Sequence, residues 1–360
     1  MSNYRRQRKS VKTILEAKSE AQKLAFAPIS FYATKTIRDL GILKLIHDSN
    51  QSGLSVHEIS QQLKISEYGI KTLLEVASSL DLVSENQSKK YILTKIGSFI
   101  LFDEMTRVNM DFVADVCYRG MEFLSDSIVK SKPEGLKVFG NWDTIYPALS
   151  LLPEKAKNSW FAFDHYYSDS AFEAALPIVF RNNPKSIFDL GGNTGKWVMQ
   201  CLKYNPNVRT AIIDLPLQIK TAKSNIENAG FKTRCDFFEA NILDHKSNFP
   251  NGADIVWMSQ FLDCFSKEQI ISILKKISGS IDDGSKIYIL EPFLDRQKYE
   301  VASFSLKHVS LYFTAMANGN SKMYSFEEFS ELIKQTNLKI DHVFDELGDN
   351  DYTLIECSKL

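Results

Sequence analysis

The stretch that decides the fold runs from residue 186 to residue 216 and reads SIFDLGGNTGKWVMQCLKYNPNVRTAIIDLP. Its apolar segment SIFDL predicts a buried strand, KWVMQCLKY predicts a helix and RTAIIDLP predicts a second strand. The same alternation continues beyond it, which predicts a mostly parallel sheet with helices on both faces, a Rossmann-like α/β fold. The last two apolar runs, LKIDHVFDEL and DYTLIECS, predict a hairpin that closes one edge of the sheet in antiparallel fashion.

A glycine-rich loop, DLGGNTG, follows the first of these strands and contains Asp189, Gly191, Gly192 and Gly195. Glycines allow the backbone to turn sharply and to approach a ligand without a Cβ atom in the way. Asp189 ends the strand and can accept a hydrogen bond from an ammonium group. Because ligands of open α/β sheets bind at the carboxyl ends of the strands, the loop predicts a ligand site.

A second acidic residue, Asp214, ends the next strand, 19 residues after Gly195. An acid at this place can accept hydrogen bonds from both ribose hydroxyls of an adenosine. Asn193 breaks the G-x-G-x-x-G pattern of dinucleotide sites, and no Gly-Lys-Ser/Thr follows for a phosphate loop. The pattern therefore favours an adenosyl sulfonium, S-adenosyl-L-methionine. The alternative is a glycine turn and a surface acid in another doubly wound fold.

The N-terminal part of the chain is predicted to be mostly helical, with the order helix, turn, helix and hairpin that is typical of a winged helix. Ser55 with Glu58 predicts a capping box, Ser66 predicts the start of the next helix, and LVSE with KYILT predicts the hairpin. The helix that would read DNA, SEYGIKTLLEVASSL, has one Lys, two Glu and no Arg. Because DNA binding needs cations for the phosphates, we expect a dimerising module and no nucleic-acid partner.

The composition is that of an ordinary globular protein, with 44% apolar residues and a net charge of −1. No net field would attract nucleic acid or an anionic membrane. The basic start MSNYRRQRKS, interpreted as a solvated tail, is not followed by the apolar segment of a signal peptide, and no apolar run is long enough to span a bilayer. Five scattered cysteines without a CxxC pair predict reduced thiols in a cytoplasmic protein and no metal site.

The layout resembles the plant-type and bacterial O-methyltransferase family, class I S-adenosylmethionine-dependent enzymes that methylate phenolic natural products. FDLGGNTG is similar to the family's first motif, IDLP to its ribose-binding Asp-Leu-Pro, EANIL to its adenine-contacting strand end and YILEPF to its fifth-strand segment. The resemblance spans nearly the whole chain. It implies a winged-helix-like dimerisation domain over residues 1–110, a helical linker with substrate-pocket helices over 111–180 and a cofactor-binding methyltransferase domain over 181–360.

The resemblance also implies partners and site residues. It implies a homodimer that methylates a small aromatic substrate, free or carrier-bound, in bacterial secondary metabolism or pigment biosynthesis. The implied cofactor-binding residues are Asp189, Gly191, Gly192, Gly195, Asp214, Leu215, Asn241 and Ile242. Gln260 is a further candidate because it stands at the end of the fourth strand, where it can instead be a polar strand terminus. Tyr312, Met316 and Asn318 align with substrate-lining positions of the family, and the rings of Trp160 and Phe163 can pack on a ligand, although a stripe of this kind also suits a protein core.

The chain departs from the family pattern at the catalytic base. The general-base histidine of the family aligns with Asp263, its first supporting Glu is kept as Glu291, and its second aligns near Met323 and is absent. Three substitutes are candidates: Asp263 itself, His165 in FAFDHYYSD and His308 in SLKHVSLYF. Either histidine can titrate near neutral pH, and either can instead be a hydrogen-bonded structural residue.

Because the family's general-base histidine and its second supporting Glu are missing, the type of methylation stays open. A phenol can be methylated at oxygen, or its phenolate can attack through an ortho ring carbon to give a C-methyl arene. A protein that binds S-adenosylmethionine without transferring the methyl group, for regulation or another reaction, is the alternative from a different class.

Overall fold

The computed structural model describes residues 12–244 and 249–360. The basic residues of the first ten positions and His245 lie outside the described residues. The chain divides into two compact units, Met1–Asp111 and Phe112–Leu360. Within the described ranges, every helix is too short or too polar to cross a membrane.

The first unit is a helical domain with a two-stranded hairpin. Ser55 and Glu58 form the predicted capping box, and the Ser66 side chain accepts from the Gly69 N–H as the cap of the next helix. A small apolar core closes between the helices, with Ile42 and Leu74 fully buried in it. Its elements are α1 (Ile14–Ala25), α2 (Ala27–Asp39), α3 (Ile42–Asp48), α4 (Val56–Leu63), α5 (Glu67–Ser79), β1 (Val83–Glu85), β2 (Tyr91–Leu93), α6 (Lys95–Phe102) and α7 (Glu104–Phe112), which ends at the unit boundary.

The second unit contains a seven-stranded sheet in the order β5-β4-β3-β6-β7-β9-β8. The strands β3 to β7 pair in parallel, whereas β9 pairs antiparallel with both β7 and β8. This confirms the predicted Rossmann-like α/β sheet with its antiparallel closing hairpin. The strands are β3 (Ser186–Leu190), β4 (Arg209–Asp214), β5 (Cys235–Glu239), β6 (Ile255–Ser259), β7 (Lys286–Glu291), β8 (Leu338–Leu347) and β9 (Tyr352–Lys359).

Helices cover both faces of this sheet and produce two apolar layers. One layer includes Ala175 of the long helix and Val198, and the other includes Ile273 and Phe329. Two short π-helical turns, Val113–Cys117 and Phe313–Ala317, pack in a third apolar cluster. The helices are α8 (Leu124–Lys130), α9 (Glu154–Val179), α10 (Lys196–Tyr204), α11 (Pro216–Asn228), α12 (Lys267–Ser280), α13 (Glu300–Tyr312) and α14 (Phe326–Ile333).

The central strands carry most of the core, so truncation there tests the packing. Ile289 of β7 is fully buried, and we predict that Ile289→Ala lowers the free energy of unfolding by about 2–5 kcal/mol, because it removes methyl groups and leaves a cavity. Val301→Ala, at a position that is 69% exposed, is the control and should change it by less than about 0.5 kcal/mol. Chemical denaturation of both variants measures the difference, and equal losses would contradict the assigned core.

Candidate active site

A cavity of about 510 Å³ lies within the second unit, where β3, β4 and β6 reach their carboxyl ends. Parallel strands place their carboxyl ends along one edge, so the residues that follow them meet there. The long helix α9 and the segment around Tyr312 supply the other walls. The predicted site residues that line the cavity are Trp160, Phe163, His165, Asp189, Gly191, Gly192, Asp214, Leu215, Asn241, Ile242, Gln260, Asp263, Tyr312 and Asn318.

Four predicted residues do not line the cavity: Gly195, Glu291, His308 and Met316. Gly195 has a φ of +81° and precedes the first turn of α10, where its N–H donates to the Gly192 carbonyl at 2.8 Å. Met316 is fully buried in the π-helical turn. His308 is exposed, and its Nδ1 lies 2.7 Å from the Phe304 carbonyl, as in a hydrogen-bonded structural histidine.

The glycine loop turns tightly over the sheet edge. Gly191 has a φ of +77°, and its N–H donates to the Ile213 carbonyl at 2.9 Å, which ties the loop to β4. A Cβ atom on Gly191 would lie 2.2 Å from the Phe261 ring, and one on Gly192 would lie 2.6 Å from Asp189 Oδ2. Side chains at these positions would therefore disturb both the loop and the carboxylate beneath it.

Asp189 is 2% exposed, and its Oδ2 accepts no hydrogen bond from the described residues. Burial raises the pKa of Asp189 well above its ordinary value, and the nearby Asp214 carboxylate adds to the effect. A buried carboxylate without a partner is costly, and a ligand ammonium would satisfy it. The residue type and its environment fit the ammonium site that the sequence predicts.

Asp214 ends β4 with both carboxylate oxygens oriented by the backbone. Its Oδ2 accepts from the Asn193 N–H at 2.9 Å and its Oδ1 from the Leu215 N–H at 2.7 Å. Burial raises the pKa of Asp214 to about 6. Each oxygen retains a lone pair for a further donor, so the carboxylate can receive two ribose hydroxyls. Asn241 stands beside it and accepts from the Leu243 N–H through Oδ1 at 3.0 Å, which shapes the turn after β5.

Two further acidic residues, Glu291 at the end of β7 and Asp263 in the turn after β6, act together. Glu291, at the end of β7, accepts through Oε1 from the N–H groups of Phe261 at 3.0 Å and Leu262 at 2.9 Å. These bonds fix the turn that carries Asp263, a buried residue whose pKa burial raises to about 6. Gln260 begins the same turn with a φ of +47°, and its side-chain amide donates to the Tyr352 hydroxyl. Glu291 therefore positions the turn, and Asp263 faces the cavity.

Aromatic and amide side chains form the far wall. Trp160 donates through Nε1 to the Tyr312 hydroxyl at 2.7 Å, and the Phe163 ring stacks on Phe112 with a centroid separation of 4.1 Å. Asn318 donates through Nδ2 to the Cys264 carbonyl at 2.6 Å. Flat rings flanked by a few fixed polar groups suit a flat aromatic ligand.

Helix α9 contributes two titratable groups to the cavity. Burial, followed by the charge of Lys196, lowers the pKa of His165 to about 4, so the ring is neutral near pH 7. Asp164 was not among the predicted site residues. Its Oδ2 accepts from Asn193 Nδ2 at 3.4 Å, and burial followed by the Asp263 charge raises its pKa to about 7. The only sequence signal was an acid among aromatic residues in FAFDHYY.

The side chains that commonly bind metal ions are dispersed in the part of the chain that the structure describes. Among residues 12–244 and 249–360, no three His, Cys, Asp or Glu side chains are grouped so that they could hold a metal ion.

Two family models match the chain. Residues 173–338 match the O-methyltransferase domain, and residues 18–91 match the Dimerisation2-like domain. The two matches together span about two thirds of the 360 residues.

Relatives with curated names cover most of the chain. The L-tyrosine C(3)-methyltransferase of Streptomyces lavendulae is 20% identical over 86% of this chain and 83% of its own. O-methyltransferase 4 of Dictyostelium discoideum is 25% identical over 84% of this chain and 85% of its own. The fold is also that of human N-acetylserotonin methyltransferase, solved with S-adenosylmethionine, at a TM-score of 0.68 and 18% identity over 97% of this chain and 99% of the other.

The ribose site can be tested on Asp214. We predict that Asp214→Ala weakens binding of S-adenosylhomocysteine by about tenfold to a hundredfold, because hydrogen bonds to a charged acceptor are lost. Isothermal titration calorimetry measures the change. Asp236→Ala removes an exposed carboxylate of β5 and is the matched control, for which we expect the wild-type affinity. Equal affinities for the wild type and Asp214→Ala would contradict the assignment.

Proposed function

We propose that this chain, whose residues 173–338 match the O-methyltransferase domain, is an S-adenosylmethionine-dependent methyltransferase that methylates a small phenol at the hydroxyl oxygen or at a ring carbon. One observation supports this most directly. A single cavity combines an unpartnered Asp189 oxygen, the oriented Asp214 carboxylate, an aromatic wall and the buried Asp263. These are the parts needed to hold an adenosyl cofactor beside a flat acceptor.

We assign the cofactor to the strand-end residues. Asp189 would hold its ammonium group and Asp214 its ribose hydroxyls, with Leu215, Asn241 and Ile242 beside the adenine. When bound, the cofactor supplies an electrophilic methyl group on a sulfonium that departs as a neutral thioether. The protein must align the acceptor with that group and help to ionise it.

We assign the general base to Asp263. A phenol has a pKa of about 10, so only about one molecule in a thousand is ionised at pH 7. A carboxylate with the raised pKa of Asp263, about 6, is a stronger base than an ordinary aspartate of about 3.9 and is still mostly ionised at pH 7. Glu291 acts as a positioning residue because it binds the backbone of the turn that carries Asp263.

The product depends on which atom of the phenol, the hydroxyl oxygen or a ring carbon, Asp263 and the aromatic wall hold beside the methyl group. For O-methylation the phenol loses its proton to Asp263 and the oxygen forms the new bond. For C-methylation the phenol first loses its proton to Asp263, and an ortho carbon then forms the bond to the methyl group as the methyl–sulfur bond breaks. The proton on that carbon is finally lost to solvent, and the ring regains its aromaticity. The relatives' names include both chemistries, one at C(3) of tyrosine and one at oxygen. Mass and NMR spectra of the labelled product distinguish a methyl ether from a methyl arene.

We further propose a homodimer formed through the first unit. Helix α1 has no buried residue, and its apolar side chains Ile14, Leu15 and Leu24 are 91%, 78% and 76% exposed. Ile29 of α2 is 63% exposed. Exposed apolar surface of this extent favours association with another chain, and the match to the Dimerisation2-like domain overlaps it.

Five free cysteines favour a reducing, cytoplasmic setting.

The base assignment predicts a defined loss. Asp263→Asn should lower kcat by about 10²–10⁴-fold with any accepted phenol, while S-adenosylhomocysteine affinity stays within about threefold. Because the ionised carboxylate is the active form, the wild-type rate should rise with pH through about 6 and then level. His308→Ala, at an exposed position, is the control and should retain the wild-type rate. A full rate in Asp263→Asn, or a dependence that falls as pH rises through 6, would contradict the assignment.

The dimer assignment predicts a change of mass. The double variant Leu24→Glu with Ile29→Glu should shift the protein from dimer to monomer in light scattering, because it places two charges in an apolar contact. Val129→Glu introduces a charge at an apolar position that is 83% exposed in the other unit, and it should remain dimeric. A dimer that persists in the double variant would locate the interface elsewhere.

A further inference from the structure

We propose, resting on the proposed function, that the phenolic acceptor presents a cationic amino group and no free carboxylate to Asp164, while its hydroxyl faces Asp263. The family match does not determine the charge of the substrate, but the charged side chains around the cavity favour one sign.

The cavity lining is strongly acidic. Five aspartates line it: Asp143, Asp164, Asp189, Asp214 and Asp263. Two of them, Asp189 and Asp214, are assigned to the cofactor. Of the other three, Asp164 and Asp263 line the cavity from α9 and from the turn after β6, whereas Asp143 is exposed to solvent.

The positive groups of the lining do not balance this charge. Lys196 forms an ion pair with Asp169, with Nζ 2.8 Å from Oδ2, so it is already matched by a carboxylate. His165 is neutral near pH 7 because burial lowers its pKa to about 4. Among the described residues, no arginine lines the cavity. An aryl carboxylate would thus lose its hydration beside like charges without gaining a cationic partner.

The environment of Asp164 favours a cation directly. Its side chain is 25% exposed, and the nearby Asp263 charge disfavours the ionised form of Asp164. These effects raise the pKa of Asp164 to about 7, so part of it is protonated at neutral pH. The charged groups around it are Asp263, Lys196 and Asp169. An ammonium group on the ligand would offset the repulsion and favour the ionised carboxylate.

The aromatic wall and the acidic group are placed to act on one ligand. Trp160 lies one helical turn before Asp164, at i−4, and therefore on the same face of α9. Phe163, the residue directly before Asp164, lines the same cavity. An acceptor ring held by these aromatics would therefore carry its amino substituent toward Asp164. The side chain of Asp164 thereby becomes a specificity-determining group.

Matched acceptors test the charge preference. The probes are tyramine, tyrosol and 4-hydroxyphenylacetate, which share a 4-hydroxyphenyl ring and differ mainly in a cationic, neutral or anionic tail, with the corresponding catechols as a second series. Methyl transfer from labelled S-adenosylmethionine gives kcat/KM for each. We expect the amine to exceed the alcohol by about tenfold or more, and the alcohol to exceed the acid. A preference for the acid in either series would overturn the inference while leaving the proposed function intact.

The variant Asp164→Asn tests the assigned residue. The amide keeps an oxygen that can accept from Asn193, so we expect an intact fold, unchanged S-adenosylhomocysteine affinity and loss of the amine preference over the alcohol. Glu173→Gln, at an exposed position of α9 that does not line the cavity, should keep that preference. An amine preference that is retained in Asp164→Asn would overturn the inference. A variant whose only defect is weaker binding of S-adenosylhomocysteine would overturn it as well. No turnover of any of the six compounds by the wild type would instead contradict the proposed phenol methylation, and the inference with it.

Discussion

Carboxylates held at the carboxyl ends of parallel strands, out of water and without cationic partners, are the constraint on which the rest of the site depends. Asp189, Asp214 and Asp263 all have pKa values raised by burial. Moving an ionised carboxylate out of water without a partner costs roughly several kcal/mol. A protein retains such a group where a ligand compensates for this cost. A cofactor that brings both an ammonium and a sulfonium charge is matched to this arrangement.

The sheet produces this constraint through its turns. Gly191 takes a φ of +77° directly above the edge, and Asn193 and Gln260 take φ values of +49° and +47°, which non-glycine residues adopt at a cost. The strain is supported by specific bonds: Asn193 donates to Asp214, and Glu291 holds the backbone that follows Gln260. The same contacts that stabilise the unusual backbone therefore also orient the carboxylates.

Much of the fold could be predicted from the sequence because its signals are local. The apolar run SIFDL, the caps Ser55 and Ser66 and the closing hairpin each depend on neighbouring residues, and the structure contains all of them. Three-dimensional placement at the site depended on packing instead. Asp164 faces the cavity because of the rotation of α9, which no spacing in FAFDHYY determines. The π-helical turn Phe313–Ala317 breaks the 3.6-residue period beyond α13, so sequence spacing could not show that Met316 is buried behind the wall.

The central claim, that buried carboxylates are kept for a cationic cofactor, is tested most directly by the protons exchanged when S-adenosylmethionine binds. Calorimetry at pH 6 in two buffers of different ionisation enthalpy gives that number. Burial raises the pKa values of Asp189 and Asp214. Because an ammonium group beside Asp189 and hydroxyl donors to Asp214 favour the ionised carboxylates, the account predicts net proton release. The release should be smaller in Asp189→Asn. No proton exchange, or net uptake, by the wild-type protein would contradict the account.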